Sequence, residues 1–350
     1  MNIKSLLLGS AAALFAVSGA QAADAIIAAE PEPLEYVRVC DAFGTGYFYI
    51  PGTETCLSVG GRIRLDYGYG ANGFTNPVSG EEGWAKRSRA YLYLRSATDT
   101  EWGPLTTYTE MQMQIDNSDY FDPADAFNSE LGADAEARLP FATISLGGLT
   151  MGKSESMFTQ WTGYAGSVIN DGIVGFGPFD AQLISYTYDA GNGFSVMASI
   201  EDDISAGLGY IPDVVAGAKY AAGAFELSVV GGYDENIDEG AVKARLDGSF
   251  GGFSAFVMGG YSTNEAGNRF ANWGGDWAVW GGLSAPVTER ITFNTQLSYD
   301  EEETFGAVGN LVFNVARGFD VTTEVFYVDN FDSVVDVDDI GGTIRFQRTF

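Results

Sequence analysis

The chain ends in residues 341–350, GGTIRFQRTF, where apolar and polar side chains alternate up to a terminal phenylalanine. Because successive side chains of a β-strand point to opposite faces, Ile344, Phe346 and Phe350 share one face. Arg345 falls on the other face. One face suits lipid and the other suits water, which is typical of a strand that closes a membrane β-barrel, although a soluble β-sandwich can end in the same way.

Similar alternating segments recur along the chain from Leu57 onward. The best-defined segments are residues 59–69, 86–97, 105–115, 225–233, 242–246, 291–299 and 321–327. Short turns rich in Gly, Ala or Pro, such as residues 286–289, alternate with longer, acidic connections, such as residues 263–276. At roughly 18 residues for a strand and its share of connections, residues 57–350 accommodate about 16 strands. We therefore predict an all-β fold, a 16-stranded antiparallel transmembrane β-barrel.

Alternation alone does not say which face of the sheet points outward. In a soluble barrel the apolar face would line the interior and the charged face would meet water. The apolar faces here are rich in aromatic residues near strand ends and the polar faces carry little lysine, which favours lipid on the outside. Alternate connections then lie at opposite ends of the barrel, so the acidic connections are expected to form one rim.

Residues 1–22 have the features of a cleaved secretory signal. Lys4 supplies a positive start, residues 6–17 an apolar core, and Ala20-Gln21-Ala22 a small-x-small cleavage site. The apolar run is shorter than the roughly 20 residues that a helical membrane span requires, so a signal is favoured over an anchor. We expect an exported protein with an N-terminal segment, residues 23–56, ahead of the barrel.

Composition excludes several functions. The chain contains no histidine, which rules out a Ser-His-Asp triad, a Cys-His pair and a histidine-bound zinc. Its formal net charge of −29 makes nucleic acid an improbable partner. We predict a protein that is not an enzyme and that needs neither a cofactor nor a metal. Acidic clusters in the connections could hold divalent cations that bridge to lipopolysaccharide, but a solvated acidic rim is the simpler interpretation.

Cys40 and Cys56 are the only cysteines. In an exported protein an even pair of cysteines favours a disulfide over a metal or redox site. We predict that this disulfide staples the segment ahead of the first strand.

Several stretches of the sequence resemble a known family. They are VCD at residues 39–41, GYFYIPGTETCL at 46–57, VGGRIR at 59–64, RSRAYL at 87–92, TEWGPL at 100–105, and residues 144–156. They are similar to alphaproteobacterial outer-membrane porins of the general diffusion type. The resemblance implies a homotrimer of 16-stranded barrels in the outer membrane. It also implies that residues 157–179 fold into the lumen as a constriction loop, and that Phe350 is read by the barrel assembly machinery.

Side-chain direction suggests which residues line the lumen. Arginines on the polar faces of two neighbouring strands would form a basic wall: Arg62, Arg64, Arg87, Arg89 and Arg95. The candidates for an opposing acidic side are Glu110, Glu155, Asp171 and Asp180. Opposed charges across a constriction create a transverse field that favours polar solutes. The alternative is that these arginines are paired wall residues that only solvate the interior.

Together these features predict a water-filled outer-membrane channel for passive diffusion of small hydrophilic solutes and ions. The main alternative is an adhesin or receptor barrel whose acidic surface loops carry the function. An outer-membrane enzyme and a soluble exported β protein are less consistent with the sequence.

Overall fold

In a computed structural model of the chain, the described residues are 38–69, 84–116, 134–202, 211–330 and 338–350. All elements discussed below lie in one compact unit, Val39–Phe350. The predicted signal peptide, residues 1–22, lies outside the described residues.

The described part of the chain is almost entirely β-structure. A two-residue strand, β1 (Phe48–Tyr49), precedes sixteen longer strands. These are β2 (Cys56–Tyr69), β3 (Trp84–Thr98), β4 (Leu105–Asp116), β5 (Asp134–Leu146), β6 (Leu149–Ser154), β7 (Ala181–Asp189), β8 (Phe194–Asp202), β9 (Asp213–Ala222), β10 (Phe225–Asp234), β11 (Glu239–Phe250), β12 (Phe253–Ser262), β13 (Trp277–Thr288), β14 (Ile291–Asp300), β15 (Phe305–Ala316), β16 (Phe319–Asp329) and β17 (Asp338–Thr349). A 3-10 turn spans Asp41–Phe43, and one α-helix, α1, spans Met157–Thr162. None of the described helices is long and apolar enough to cross a membrane.

The sixteen longer strands close into a barrel. Each pairs antiparallel with its neighbours in sequence, and β17 pairs with β2 from Gly342↔Tyr69 to Thr349↔Arg62. Phe350 extends this seam, because its N–H donates to the Gly61 carbonyl at 3.0 Å and its carbonyl accepts from the Gly61 N–H at 2.9 Å. Closure leaves the sheet without an edge. The predicted 16-stranded antiparallel barrel is confirmed.

The two faces of the wall differ as they would for a protein in lipid. Along β14, the inward-facing Gln296 is fully buried, whereas the neighbouring Leu297 is 54% exposed on the outside. The same contrast separates the inward Lys243 of β11, which is fully buried, from the outward Val242, which is 43% exposed. The outer surface is therefore apolar and the inner face polar, the reverse of a soluble protein.

One turn differs from its predicted position. The sequence predicts a turn over residues 286–289, but β13 continues to Thr288, and only Glu289 and Arg290 connect it to β14. The pairing of β13 with β14 shifts register between Pro286 and Thr288. A bulge accommodates a proline in a strand because proline cannot donate a ladder hydrogen bond.

The segment ahead of the barrel folds back onto the start of β2. Its strand β1 pairs with β2 through Phe48↔Leu57 and Tyr49↔Cys56. The predicted disulfide is confirmed: Cys40 and Cys56 are bonded across a sequence separation of 16 residues. Closing a loop of this length stabilises the folded segment by about 3 kcal/mol in the chain-entropy model.

A small hydrophobic core lies inside the barrel. It combines residues of the connection between β6 and β7, such as Phe158 and Phe176, with inward side chains of the wall, such as Met258 and Trp280. We call this connection, residues 155–180, the inner loop. Because one loop can reach the inner faces of many strands only through the lumen, the inner loop lies inside the barrel.

Candidate functional site

The inner loop begins with a short helix held by local caps. The Ser156 hydroxyl accepts a hydrogen bond from the Phe158 N–H at 3.1 Å and so caps α1. Gly163 ends the helix with a φ of 76°, a conformation that favours glycine. The helix contacts β9, β10 and β11. Trp161 packs there against Gly217, where a Cβ atom would come within 2.6 Å of the indole ring.

The middle of the inner loop crosses the lumen to β16. The Glu324 carboxylate accepts from the backbone N–H groups of Ile169 at 2.5 Å and Asn170 at 2.9 Å. Two residues before Ile169, the Ser167 carbonyl accepts a hydrogen bond from the Asn310 side chain of β15 at 3.1 Å. A carboxylate that accepts several N–H bonds is a strong anchor, because charge-assisted hydrogen bonds are stronger than hydrogen bonds between neutral groups.

The returning part of the inner loop is fixed to β11 and β13. Trp280 donates its indole N–H to the Val174 carbonyl at 3.1 Å. The fully buried Lys243 donates to the Phe176 carbonyl, and its Nζ lies 4.6 Å from the centroid of the Phe158 ring. The Glu201 carboxylate of β8 also accepts from the Met157 N–H at 2.8 Å, so wall residues from β8 to β16 hold the inner loop.

A second segment, residues 263–276, also folds inward. Phe270 is fully buried, and its ring centroid lies 5.3 Å from that of Phe158 in the inner loop. Arg269 pairs with the buried Asp213, and its backbone N–H donates to Asp234 at 3.0 Å. The sequence predicts a surface-exposed acidic rim at this connection. The aromatic residues of this stretch were the signal for inward packing, as they were for residues 157–179.

The five predicted wall arginines lie together on the inner face of β2 and β3. The strand register sets Arg64 opposite Arg89 and Arg62 opposite Tyr91. Arg87 lies opposite Asp66 on β2, and Arg95 lies opposite Tyr108 on β4. We call Arg62, Arg64, Arg87, Arg89 and Arg95 the arginine wall. It occupies the part of the lumen away from the anchors of the inner loop.

Two arginines of the wall, Arg64 and Arg89, donate hydrogen bonds to neutral amide groups. Arg89 donates to the Gln114 carbonyl oxygen at 2.6 Å, and Arg64 donates to Gln347 at 3.3 Å. Arg345 of β17 joins this face and forms an ion pair with Asp66, with its Nε 2.6 Å from the Asp66 carboxylate. Hydrogen bonds to amides orient a guanidinium group without neutralising it, so Arg64 and Arg89 keep their positive charge.

The four predicted acidic residues lie in different places. Glu110 is on β4, opposite Tyr93, and accepts from the Tyr108 hydroxyl at 2.6 Å. It therefore lies beside the arginines and not across from them. Glu155, Asp171 and Asp180 belong to the inner loop. Tyr164 donates its hydroxyl to Glu155, and Lys153 forms an ion pair with Asp180.

Burial changes the acidity of two carboxyl groups of the inner loop. The pKa of Asp171 is raised to about 7, mainly because burial desolvates the carboxylate, with the nearby charge of Glu324 adding to the shift and a backbone hydrogen bond and Arg345 opposing it. Burial also raises the pKa of Glu155, against the hydrogen bond from Tyr164. Asp171 therefore changes charge near neutral pH.

In the described part of the chain, no group of three or more His, Cys, Asp or Glu residues is arranged to hold a metal ion. The chemistry available in the lumen is that of charged, amide and aromatic side chains facing water. A closed barrel with an apolar exterior, a polar lumen and an inward-folded loop is the architecture of an outer-membrane porin.

Comparison with known sequences agrees with this architecture. The family model described as "Porin subfamily" matches residues 24–344. Porin Omp2a of Brucella suis biovar 1 is 43% identical over 371 residues, covering 100% of both chains. Porin Omp2b of Brucella canis is 43% identical over 369 residues, again covering 100% of both. The chain belongs to this porin family, and it is an outer-membrane channel for passive diffusion of solutes.

Solved structures support the fold. The outer membrane channel DcaP of Acinetobacter baumannii aligns with a TM-score of 0.60 at 15% identity, covering 86% of this chain and 99% of that one. Salmonella typhi OmpF, in a complex with daunomycin, aligns with a TM-score of 0.61 at 10% identity, covering 85% and 98%. At such low identity the likeness concerns the barrel alone.

The Glu324 anchor leads to a prediction about conductance. We expect Glu324→Ala to release the tip of the inner loop, because it removes charge-assisted bonds of about 1.5–3 kcal/mol each. Single-channel recordings should then show larger and noisier currents, with Glu324→Gln intermediate because it keeps one acceptor oxygen. Thr343→Val, which alters the residue opposite Glu324 on β17, is the matched control. Wild-type conductance and noise in Glu324→Ala would contradict the anchor.

Proposed function

We propose that this channel passes small hydrophilic solutes and ions, and selects among them by charge at a constriction formed by the inner loop. The supporting observation is the division of the inner wall. The loop's anchors lie on strands from β8 to β16, while the arginine wall lies on β2 and β3. Solutes then pass between a basic wall and a loop that carries Glu155 and Asp171.

In this proposal the predicted residues have unequal roles. The five arginines of the wall attract anions, and Asp171 and Glu155 supply the opposing negative charge. Glu110 moderates the arginine wall from its own side. The charge of Asp180 is compensated by Lys153, so Asp180 contributes least to the field.

Neutralising the arginine wall tests this function. We expect Arg62→Gln, Arg64→Gln and Arg89→Gln together to lower anion preference, because three positive charges leave the solute path. Two unit charges about 4 Å apart in water attract each other by about 1 kcal/mol. Loss of one such attraction changes the anion-to-cation permeability ratio roughly fivefold. Reversal potentials across a salt gradient measure this ratio.

Arg290→Gln is the matched control, because Arg290 lies exposed in the turn between β13 and β14. It removes one positive charge from the protein without changing the lumen. An unchanged permeability ratio in the triple variant would favour the alternative that the arginines only solvate the wall.

The raised pKa of Asp171, about 7, leads to a pH prediction. As pH falls through 7 the carboxyl group takes up a proton, the loop loses a negative charge, and anion preference should rise. The free energy of unfolding should rise over the same change, because the unfolded carboxyl group remains ionised down to its ordinary pKa. Asp171→Asn should abolish the step in the reversal potential, whereas Asp180→Asn should retain it. A step of equal size in Asp171→Asn would assign it to another group.

We also propose that the Phe350 side chain is a signal for the barrel assembly machinery. The ring is 67% exposed at the barrel seam, while the backbone pairs with Gly61. We expect Phe350→Ala, which keeps these backbone bonds, to reduce the amount of folded barrel in outer-membrane fractions. Phe350→Tyr should restore it. Normal membrane levels of Phe350→Ala would contradict the signal role.

The remaining proposals concern processing and assembly. We propose that residues 1–22 are removed as a signal peptide, that the channel assembles as a homotrimer through its apolar outer surface, and that it has no catalytic activity. The complete absence of histidine supports the last point.

We further propose that divalent cations bridge acidic connections of the barrel to lipopolysaccharide. Some of these connections, at residues 117–133, 203–210 and 331–337, lie outside the described residues.

A further inference from the structure

A band of aromatic rings crosses the inner face of β3, β4 and β5. We call Tyr91, Tyr93, Tyr108 and Phe141 the aromatic strip. Neighbouring ring centroids lie 6.2 Å apart for Tyr91 and Tyr93, 6.4 Å for Tyr93 and Tyr108, and 5.6 Å for Tyr108 and Phe141. These distances are within the range of favourable aromatic contacts, so the rings form one continuous surface.

The strip lies on the face of the wall that should be polar. Tyr93 and Glu110 are directly opposite each other, and so are Glu110 and Phe141, so the rings share the lumen face with a carboxylate. Tyr93, Tyr108 and Phe141 are only half-buried. In the inner loop, Phe158 and Phe176 are buried in a core, whereas Tyr164 and Phe179 are 46% and 41% exposed. The rings of the strip lie outside this core, on the barrel wall, with part of their surface open to the lumen.

Cationic groups lie directly against these rings. The guanidinium carbon of Arg95 lies 4.8 Å from the centroid of the Tyr108 ring and 5.5 Å from that of Tyr93. Arg62 lies 4.1 Å from the centroid of Tyr91 and covers that ring, which is only 6% exposed. Glu110, the carboxylate among them, already accepts from the Tyr108 hydroxyl. The strip thus combines accessible ring surfaces with guanidinium donors.

We propose that the aromatic strip is a solute-binding subsite for carboxylates that carry a ring, with aromatic carboxylates as the best-fitting class. The ring of the solute packs against Tyr93, Tyr108 and Phe141, and its carboxylate accepts hydrogen bonds from Arg95. The subsite rests on the proposed passage of solutes along the arginine wall. It adds recognition of shape to selection by charge.

Charge and shape together define this class. A small anion such as acetate gains only the contact with arginine, and a neutral ring gains only stacking. Cations are disfavoured because Arg62, Arg64, Arg89 and Arg95 line the same wall. Only a solute with both features uses the rings and the guanidinium groups at the same time.

Titration of ion current tests the subsite. Benzoate, acetate and benzyl alcohol are added separately to single channels in a planar bilayer, and the half-blocking concentration of each is measured. We expect benzoate to block at a concentration roughly fivefold below that of acetate, the ratio that an aromatic contact of ordinary strength supplies. Phe141→Leu and Tyr93→Leu should reduce this ratio toward one, and Arg95→Gln should weaken block by benzoate but not by benzyl alcohol.

The matched control is Tyr188→Leu, because Tyr188 is an outward-facing tyrosine of β7 that is 54% exposed. It should keep the wild-type ratio. Equal half-blocking concentrations for benzoate and acetate would overturn the proposal, and so would a wild-type ratio in both Phe141→Leu and Tyr93→Leu.

Calorimetric titration of the refolded barrel with benzoate tests binding at the subsite independently of charge selection by the channel. Benzoate binding that is tighter than acetate binding and lost in Phe141→Leu supports the subsite even if charge selection along the arginine wall fails. Conduction with normal anion preference but no preferential benzoate binding overturns the subsite alone.

Discussion

The structure depends on hydrogen-bond closure between the last strand and the first. In the hydrocarbon core of a membrane no water is available to backbone N–H and C=O groups, so an open sheet edge is too costly to persist there. The pairing of β17 with β2, extended by Phe350 on Gly61, removes that edge. Because the closed wall satisfies the hydrogen bonds of its own backbone, the side chains on its two faces can differ in polarity.

That freedom explains how the lumen is built. Polar and charged side chains on the inner face can bind backbone of a crossing loop, as Glu324 and Lys243 do, without any large apolar core. The inner loop leaves part of the wall uncovered, and the arginine wall and the aromatic strip occupy that part. Selection by charge and recognition of rings would then share one surface of the channel.

Much of the fold could be predicted because strand alternation is local. The period-two patterns around Arg62 and Arg89 indicated the strands and which side chains share a face, and the two cysteines indicated their disulfide. The inward packing of residues 263–276 was missed because the acidic connections around it suggested a rim. The anchoring roles of Glu324 and Lys243 were also missed, since alternation gives the face of a residue but not the loop that meets it.

Residue spacing along the chain was enough to predict the number of strands and which side chains share a face, and the aromatic and lysine content of the two faces pointed to an apolar exterior. Which residues meet across the lumen depends instead on strand register and on the path of the inner loop. Glu110 was expected opposite the arginines, yet the register sets it beside them, opposite Tyr93. The path of the inner loop to β16 depends on contacts between residues about 150 positions apart, such as Asn170 with Glu324. No local pattern encodes such contacts, since they exist only once the barrel has closed.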